Sequence, residues 1–268
     1  MDVRSGPPDD GVTEQPLTGG RMTPGVVRVA DTVRRPASDS SAFTADLLRL
    51  LDERGFGAVP KYLGQDESGR DILTYLEGWV PHRYQRWSDQ QVAAAGALLR
   101  AFHDATRDSP LAAGQPVVCH HDPAPTNFVF TDDLPAALFD FDLAAPGDPL
   151  EDLGYAAWTW CIASKYGDAD RQAHQVRVLA DGYNLPTRDR PGLLPAVLSR
   201  LLRNVGFWAQ RPCPEAAERI AWSHREHAFT TANRDVFEAA LTCRTPTADD
   251  RGGPLSDPLD RSEKLEHG

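Results

Sequence analysis

His120-His121-Asp122-Pro123-Ala124-Pro125-Thr126-Asn127, then Phe139-Asp140-Phe141-Asp142 and Asp152-Leu153-Gly154, form the stretch on which the reading of this chain turns. It belongs to a strand-like island running from Val117 to about Leu143, with apolar pieces at Val117-Val118-Cys119, Phe128-Val129-Phe130 and Ala137-Leu138-Phe139. The polar loop from His120 to Asn127 separates the first two pieces. Loops of this kind, held by short strands, are where chemistry is usually placed. Residues 120–152 carry eight carboxylates and neither Lys nor Arg. Like charges gathered so densely repel one another unless water or a cation neutralises them. Asp132-Asp133 read as a solvated turn. Asp140 and Asp142 alternate with phenylalanines at the end of an apolar run, and so lie at the edge of something buried. Hard carboxylate and amide oxygens in that setting suit Mg²⁺, which takes one or two carboxylates together with phosphate oxygens and water.

On the N-terminal side of this island the pattern is short strands around one helix. Val27 and Val29, then Val33 and Arg35, alternate about an Ala30-Asp31 turn, as a hairpin requires. Phe43, Leu47, Leu50, Leu51 and Arg54 keep helical spacing, with Gly55 at the expected C-terminal cap. Tyr62-Leu63-Gly64 and Ile72 to Leu76 flank the polar turn Glu67-Ser68-Gly69-Arg70, a second hairpin. From about residue 79 the chain turns mainly helical. Ser88 with Gln91 gives a capping-box start, and Val92, Ala95, Leu99 and Phe102 share one face. Further helical faces run over 170–183 and 192–210, and another helix is predicted over 215–241. The resulting class is α+β, with a β-rich lobe over 19–78 and a helical lobe over 79–243. Residues 1–18 and 244–268, rich in Pro, Gly and Asp, read as disordered tails.

The chain has 268 residues, 41% hydrophobic and 25% charged, enough for a sizeable core in one or two domains. With 28 basic against 39 acidic residues the net charge is −11, which argues against a nucleic-acid partner. Cys119, Cys161, Cys213 and Cys243 show no C-x-x-C spacing and read as reduced thiols of a cytoplasmic protein. No run approaches a membrane span, and the first residues lack a signal pattern.

The segment 120–127 fits H-x-D-x-x-x-x-N, Asp140 opens D-F-D thirteen residues after Asn127, and D-L-G starts a helix at 152. In these motifs and their spacing the chain resembles the aminoglycoside phosphotransferase and choline kinase family, small-molecule kinases with a bilobal protein-kinase-like fold. The resemblance covers about residues 19–241 and is most specific in 120–155. It implies transfer of the γ-phosphate of ATP or GTP to a small hydroxylated acceptor, with Mg²⁺ as cofactor. An aminoglycoside-like cation is among the acceptors it implies. Carried over by position, Asp122 is the catalytic Asp, and Asn127 and Asp140 are the metal ligands. Asp142 is a second metal contact or a substrate contact. His120 braces the loop through the backbone, while Asp152 caps its helix and ties it to the loop.

The small lobe departs from the family. Where a phosphate-binding lysine is expected, the strand reads Thr32-Val33-Arg34-Arg35-Pro36. The chain has only Lys61, Lys165 and Lys264, and Lys61 lies beyond the helix. Arg34 or Arg35 takes the phosphate-binding place, although the exchange is not conservative. The partner carboxylate is Asp46, Asp52 or Glu53, and spacing does not choose. Gly19-Gly20-Arg21-Met22-Thr23-Pro24-Gly25 stands where a phosphate loop belongs but does not fit G-x-G-x-x-G. Around Asp122, His121 and Pro123 replace the family's Gly and Leu. Tyr75-Leu76-Glu77-Gly78 falls at the interlobe hinge, which places Glu77 beside the purine. Glu215, Glu218, Glu226 and Asp235 are candidates for recognising an ammonium or hydroxyl acceptor. These departures keep an alternative open: a kinase-like protein that binds without transferring, with a toxin-immunity role. A metal-dependent phosphohydrolase built on His120, His121 and Asp122, with His103 and His174 as outside ligands, needs a helix there. Pro123 and Pro125 argue against it, since proline inside a helix costs roughly 3 kcal/mol.

Overall fold

The computed structural model describes residues 13–17, 24–82, 85–211 and 213–242. Two strands, β2 (Val27–Val29) and β3 (Thr32–Arg35), form the expected first hairpin, and Ala30 at its turn takes φ 52°. β4 (Tyr62–Gln65) and β5 (Asp71–Thr74) form the second. Their order with β1 (Gln15–Pro16) is β1-β2-β3-β5-β4, antiparallel throughout. β1 corrects the reading of residues 1–18 as wholly unstructured, because Gln15 and Pro16 pair with Arg28 and Val27. A proline is tolerated there because β1 is an edge strand. Residues 19–23 of the glycine-containing loop and the tail 244–268 lie outside the described residues.

Helix α1 (Ser41–Glu53) buries Leu47, Leu48 and Leu51, and Gly55 beyond it adopts φ +73°. That left-handed turn costs a glycine little, and it brings the Phe56 N–H back to the Leu51 carbonyl at 2.8 Å. The helical lobe starts with α2 (Asp89–Thr106), whose Ser88–Gln91 capping box is formed. α3 (Pro149–Ala156), α4 (Ala169–Gly182), α5 (Leu193–Ala209), α6 (Ala216–Ala232) and α7 (Arg234–Thr242) follow. The single helix predicted over 215–241 is in fact α6 and α7. Asn233 breaks it by donating from its side-chain amide to the Phe229 carbonyl at 2.8 Å, a local bond that competes with helix continuation.

The strand-like island resolves into two pairs, β6 (Val117–Cys119) with β9 (Ala145–Gly147) and β7 (Phe128–Thr131) with β8 (Leu134–Leu138). Phe102, Phe128, Phe130, Leu138 and Phe141 are buried beneath them, fixing both ends of the loops they carry. The lobes join at Trp79, which exchanges two backbone hydrogen bonds with Phe130, at 3.0 and 2.8 Å. Gly78 makes this approach feasible: at φ +139°, a Cβ there would stand 2.4 Å from the Phe130 carbonyl oxygen. Among the described residues, no helix is long and apolar enough to cross a membrane.

Candidate active site

The loop between β6 and β7 is held from below by Asp152. This carboxylate is fully buried and accepts from the backbone N–H of His120 at 2.7 Å and of His121 at 2.7 Å. It also pairs with His103 Nε2 at 2.9 Å, and His103 Nδ1 meets the Tyr183 hydroxyl at 2.7 Å. Burial alone would raise the Asp152 pKa, but the His103 bond and neighbouring imidazoles outweigh it and hold the carboxyl below its usual range. Asp152 thus ties α3 to the loop, as the sequence reading has it. It does not cap the helix, however. Asp148 does, accepting from the Leu150 N–H at 2.8 Å, while Asp152 lies one turn further in.

His120 braces a second point, its Nε2 lying 2.9 Å from the Phe139 carbonyl. His121 adopts φ +62° and Asp140 φ +66°, so both critical loops pass through the left-handed region that side chains disfavour. At His121 the conformation is locked from two sides. Asp152 takes its N–H, and Arg200 of α5 donates to its carbonyl at 2.6 Å.

These constraints bring Asp122, Asn127 and Asp140 into one cluster. Asn127 donates from Nδ2 to both the carbonyl (2.9 Å) and Oδ2 (3.0 Å) of Asp122, which leaves its own Oδ1 as the amide's acceptor. Oδ1 of Asp122 is shielded and makes no hydrogen bond among the described residues. Burial pushes the Asp122 pKa up, opposed by the Tyr155 hydroxyl, His120 and Arg200. Asp140 is also pushed up, by burial and then by the charge of Asp142, with Arg35 opposing. An orphaned carboxylate oxygen, a free amide oxygen and mutually repelling carboxylates are a hard-oxygen donor set, and it fits Mg²⁺.

Strand alternation separates the two arginines. Arg35 points across the cleft and pairs with Asp142 at 2.5 Å, while Ser40 Oγ lies 3.4 Å from the same carboxylate. Arg34 points the other way, donating to Thr32 Oγ1 at 2.7 Å and standing 4.0 Å from Asp66. The helix carboxylates have other partners: Asp46 pairs with Arg49, and Asp52 pairs with Lys61 at 2.7 Å. Glu77 is at the hinge, but its side chain is exposed and pairs with Arg28 at 2.9 Å. Among the acceptor candidates, Glu215, Glu218 and Asp235 are exposed, whereas Glu226 is buried. His174 pairs with Asp89 at 2.9 Å, away from the loop.

Two neighbours of Asp122 escape the sequence reading, Tyr155 and Arg200. The signal for them is indirect. Gly154 lets α3 press against α5, where a Cβ would come 2.7 Å from Ala196. One turn beyond Ala196 comes Arg200, stacked 4.4 Å from the Tyr155 ring centre.

Comparison with known proteins agrees with this architecture. Residues 104–194, which include H-x-D-x-x-x-x-N, D-F-D and D-L-G, match the model of the APH phosphotransferase enzyme family. Over 258 residues the chain is 33% identical to the trifolitoxin immunity protein of Rhizobium leguminosarum bv. trifolii, covering 84% of this chain and 97% of that one. The chain belongs to the phosphotransferase enzyme family. Solved structures share its fold. A choline/ethanolamine kinase family protein from Mesorhizobium loti matches with TM-score 0.59 at 18% identity, over 87% of this chain and 94% of that one. The gentamicin complex of APH(2")-IIa matches with TM-score 0.56 at 14% identity, over 84% and 93%. Spectinomycin phosphotransferase in complex with ADP and spectinomycin matches with TM-score 0.52 at 15% identity, over 85% and 92%. The fold is therefore the bilobal, protein-kinase-like one, with a small sheet-rich lobe and a larger helical lobe.

Proposed function

We propose that this protein is a Mg²⁺-dependent phosphotransferase that moves the γ-phosphate of ATP or GTP to a hydroxyl of a small molecule. The observation that carries the reading is the convergence of Asp122, Asn127 and Asp140 on one cleft, with no other role in the fold that needs all three. In the reaction, the acceptor hydroxyl oxygen forms a bond to the γ-phosphorus as the bond to the bridging oxygen breaks and the nucleoside diphosphate leaves. Asp122 positions that hydroxyl and accepts its proton; a carboxyl pKa raised by burial makes it a better base than an exposed one. Asn127 and Asp140 hold the metal, which neutralises charge on the phosphate oxygens when bound. Arg35, rather than Arg34, supplies a fixed positive charge from the small lobe, and the hinge main chain around Glu77 meets the purine.

Calorimetric titration with MgATP and with MgGTP tests this reading, with Asp140→Ala as control. Metal-dependent binding of at least one nucleotide, lost in the variant, is the expected result. Binding that persists in Asp140→Ala rejects the metal assignment. No binding of either nucleotide favours a second reading, a family member that binds a toxin-like ligand without transfer. The likeness to an immunity protein and the lack of a lysine on the strand Thr32–Arg35 support that second reading.

A further inference from the structure

A cavity of about 150 Å³ opens in the helical lobe beside the 120–127 loop. One of its walls is Trp160, whose indole N–H donates to the Pro123 carbonyl at 3.1 Å, so the cavity adjoins the loop that carries Asp122. Its walls are aromatic, with the rings of Trp158 and Trp222 4.8 Å apart and Tyr166 at the rim. A π-helical turn, Ala157–Cys161, shapes one side; such widened turns recur at functional sites. Trp158 is buried, and its indole N–H has no hydrogen-bond partner among the described residues.

The charges around this cavity are not equally available. Glu226 accepts from the Ser164 N–H at 2.7 Å and its hydroxyl at 2.8 Å, and from the Trp222 indole at 3.0 Å, so both its oxygens are committed inside the protein. Asp168 caps α4 by accepting from the Arg171 N–H at 3.2 Å. The cations are exposed and uncommitted by comparison. Arg86 and Lys165 rest on the Tyr166 ring at 4.4 and 4.8 Å, and Arg171 donates to the Trp87 carbonyl at 3.5 Å while its charge also acts on Asp89. None of the three forms an ion pair among the described residues. A ligand bearing an ammonium group meets three like charges here against one exposed carboxylate, Asp168, whereas an anion meets three cations that form no ion pair among the described residues.

We infer that this cavity receives the phosphate acceptor and selects a hydroxylated molecule bearing a carboxylate, not a polycation. The inference rests on the phosphotransfer reading for the word acceptor, and on the cavity's own residues for the sign of charge. Glucuronate, glucose and glucosamine carry −1, 0 and +1 on one hydroxylated scaffold, so they are direct probes. Tryptophan fluorescence follows their binding, and the same preparation is titrated with MgADP by calorimetry. Affinity is expected to fall from glucuronate to glucosamine by about tenfold, and to reverse order in the doubly substituted Lys165→Glu, Arg171→Glu protein. Both residues are exposed, and a thermal melt of the variant verifies that it folds. Glucosamine binding as tightly as glucuronate, no saturable glucuronate binding, or an order that survives charge reversal overturns the inference. If MgADP still binds in those cases, only the acceptor class fails. If MgADP fails to bind while the charge order appears, the phosphotransfer reading fails and the anion-selective cavity stands.

Discussion

Asp152, fully buried in the helical lobe, fixes the 120–127 loop through two backbone hydrogen bonds and is itself held by a third, from His103 of α2. Arg35, on a four-residue strand, reaches the opposing Asp140-Phe141-Asp142 segment through an ion pair with Asp142. One residue lies beneath the loop that borders the cleft and the other reaches across it, and they are held by different physics. A buried, hydrogen-bonded carboxylate is rigid, because every alternative leaves polar groups unpaired in a low-dielectric interior. An arginine pair at the cleft edge, its side chains only 11% and 25% exposed, is exchangeable all the same: a phosphate oxygen can replace a carboxylate oxygen at the same guanidinium with little loss. The helical side therefore sets geometry, and under the proposed function the small-lobe side would supply charge that can change partners when nucleotide arrives.

The largest expected effect is at the residue that the rigid side exists to place. Asp122→Asn keeps the shape of the side chain but cannot accept a proton, so kcat should fall by about 10²–10⁴. Binding of MgADP should change little, because Asn127 and Asp140 remain. Rapid-quench measurement of phosphoryl transfer separates the two quantities. Unchanged turnover would show that the loop is rigid for some purpose other than proton transfer.

Asp152→Asn removes the charge of the buried pair and sets an amide N–H₂ against backbone donors. Breaking one partner of a buried pair costs about 3–5 kcal/mol, and urea denaturation at neutral pH should show it. The pH dependence has a definite sign. The folded-state pKa of Asp152 is depressed, so its stabilisation is fully present above the ordinary carboxylate range and is lost as pH falls through the depressed value. Wild type and variant should therefore converge in stability in strong acid. Curves that stay parallel would mean that the carboxylate is held by its bonds and not by its charge.

This contrast explains what the sequence made legible. The helical-lobe site could be read because H-x-D-x-x-x-x-N, D-F-D and D-L-G are local patterns whose spacing is dictated by one strand–loop–strand unit. Asp122, Asn127 and Asp140 do converge as that spacing requires. The hairpins and α1 were equally plain, since alternation and the Gly55 cap act within a few residues. Arg200 was not legible, because its reach depends on how closely α5 packs on α3, which Gly154 decides from a distance. Nor was the choice between Arg34 and Arg35, where a register shift of one residue turns every side chain to the other face. Only the pairing of Arg35 opposite Asp71, and Arg34 opposite Ile72, fixes which one enters the cleft.

That register makes the exchangeable side testable. Arg35→Ala should weaken MgATP binding by about tenfold, the scale of a single charge-assisted contact of roughly 1.5–3 kcal/mol net of its resting partner. Arg34→Ala should leave binding within about twofold, since that residue stands on the opposite face. Calorimetry on both variants decides. Equal losses would show that the cleft closes differently around nucleotide, and no loss in either would remove the small lobe from phosphate binding.

The smallest effect tests how the rigid side tolerates its own strain. His121 holds φ +62°, a region where a residue with a Cβ loses about 1 kcal/mol or more relative to glycine. It stays there because Asp152 and Arg200 grip the N–H and the carbonyl of the same residue. His121→Gly removes the strain and gives back part of the gain as unfolded-chain entropy, about 0.4–1 kcal/mol. The imidazole adds a pH-dependent part. Burial lowers its pKa despite the nearby Asp152 and Glu151 charges, so the folded state resists protonation, and stability drains away as pH falls through the ordinary value of 6.5. The substitution should be close to neutral, within about 1 kcal/mol, at pH 8 and more stabilising at pH 5.5, raising Tm there by roughly 2–4 °C. A variant less stable at both pH values would mean that the imidazole's contacts outweigh the strain, and that the two-sided grip on His121 evolved around the ring and not in spite of it.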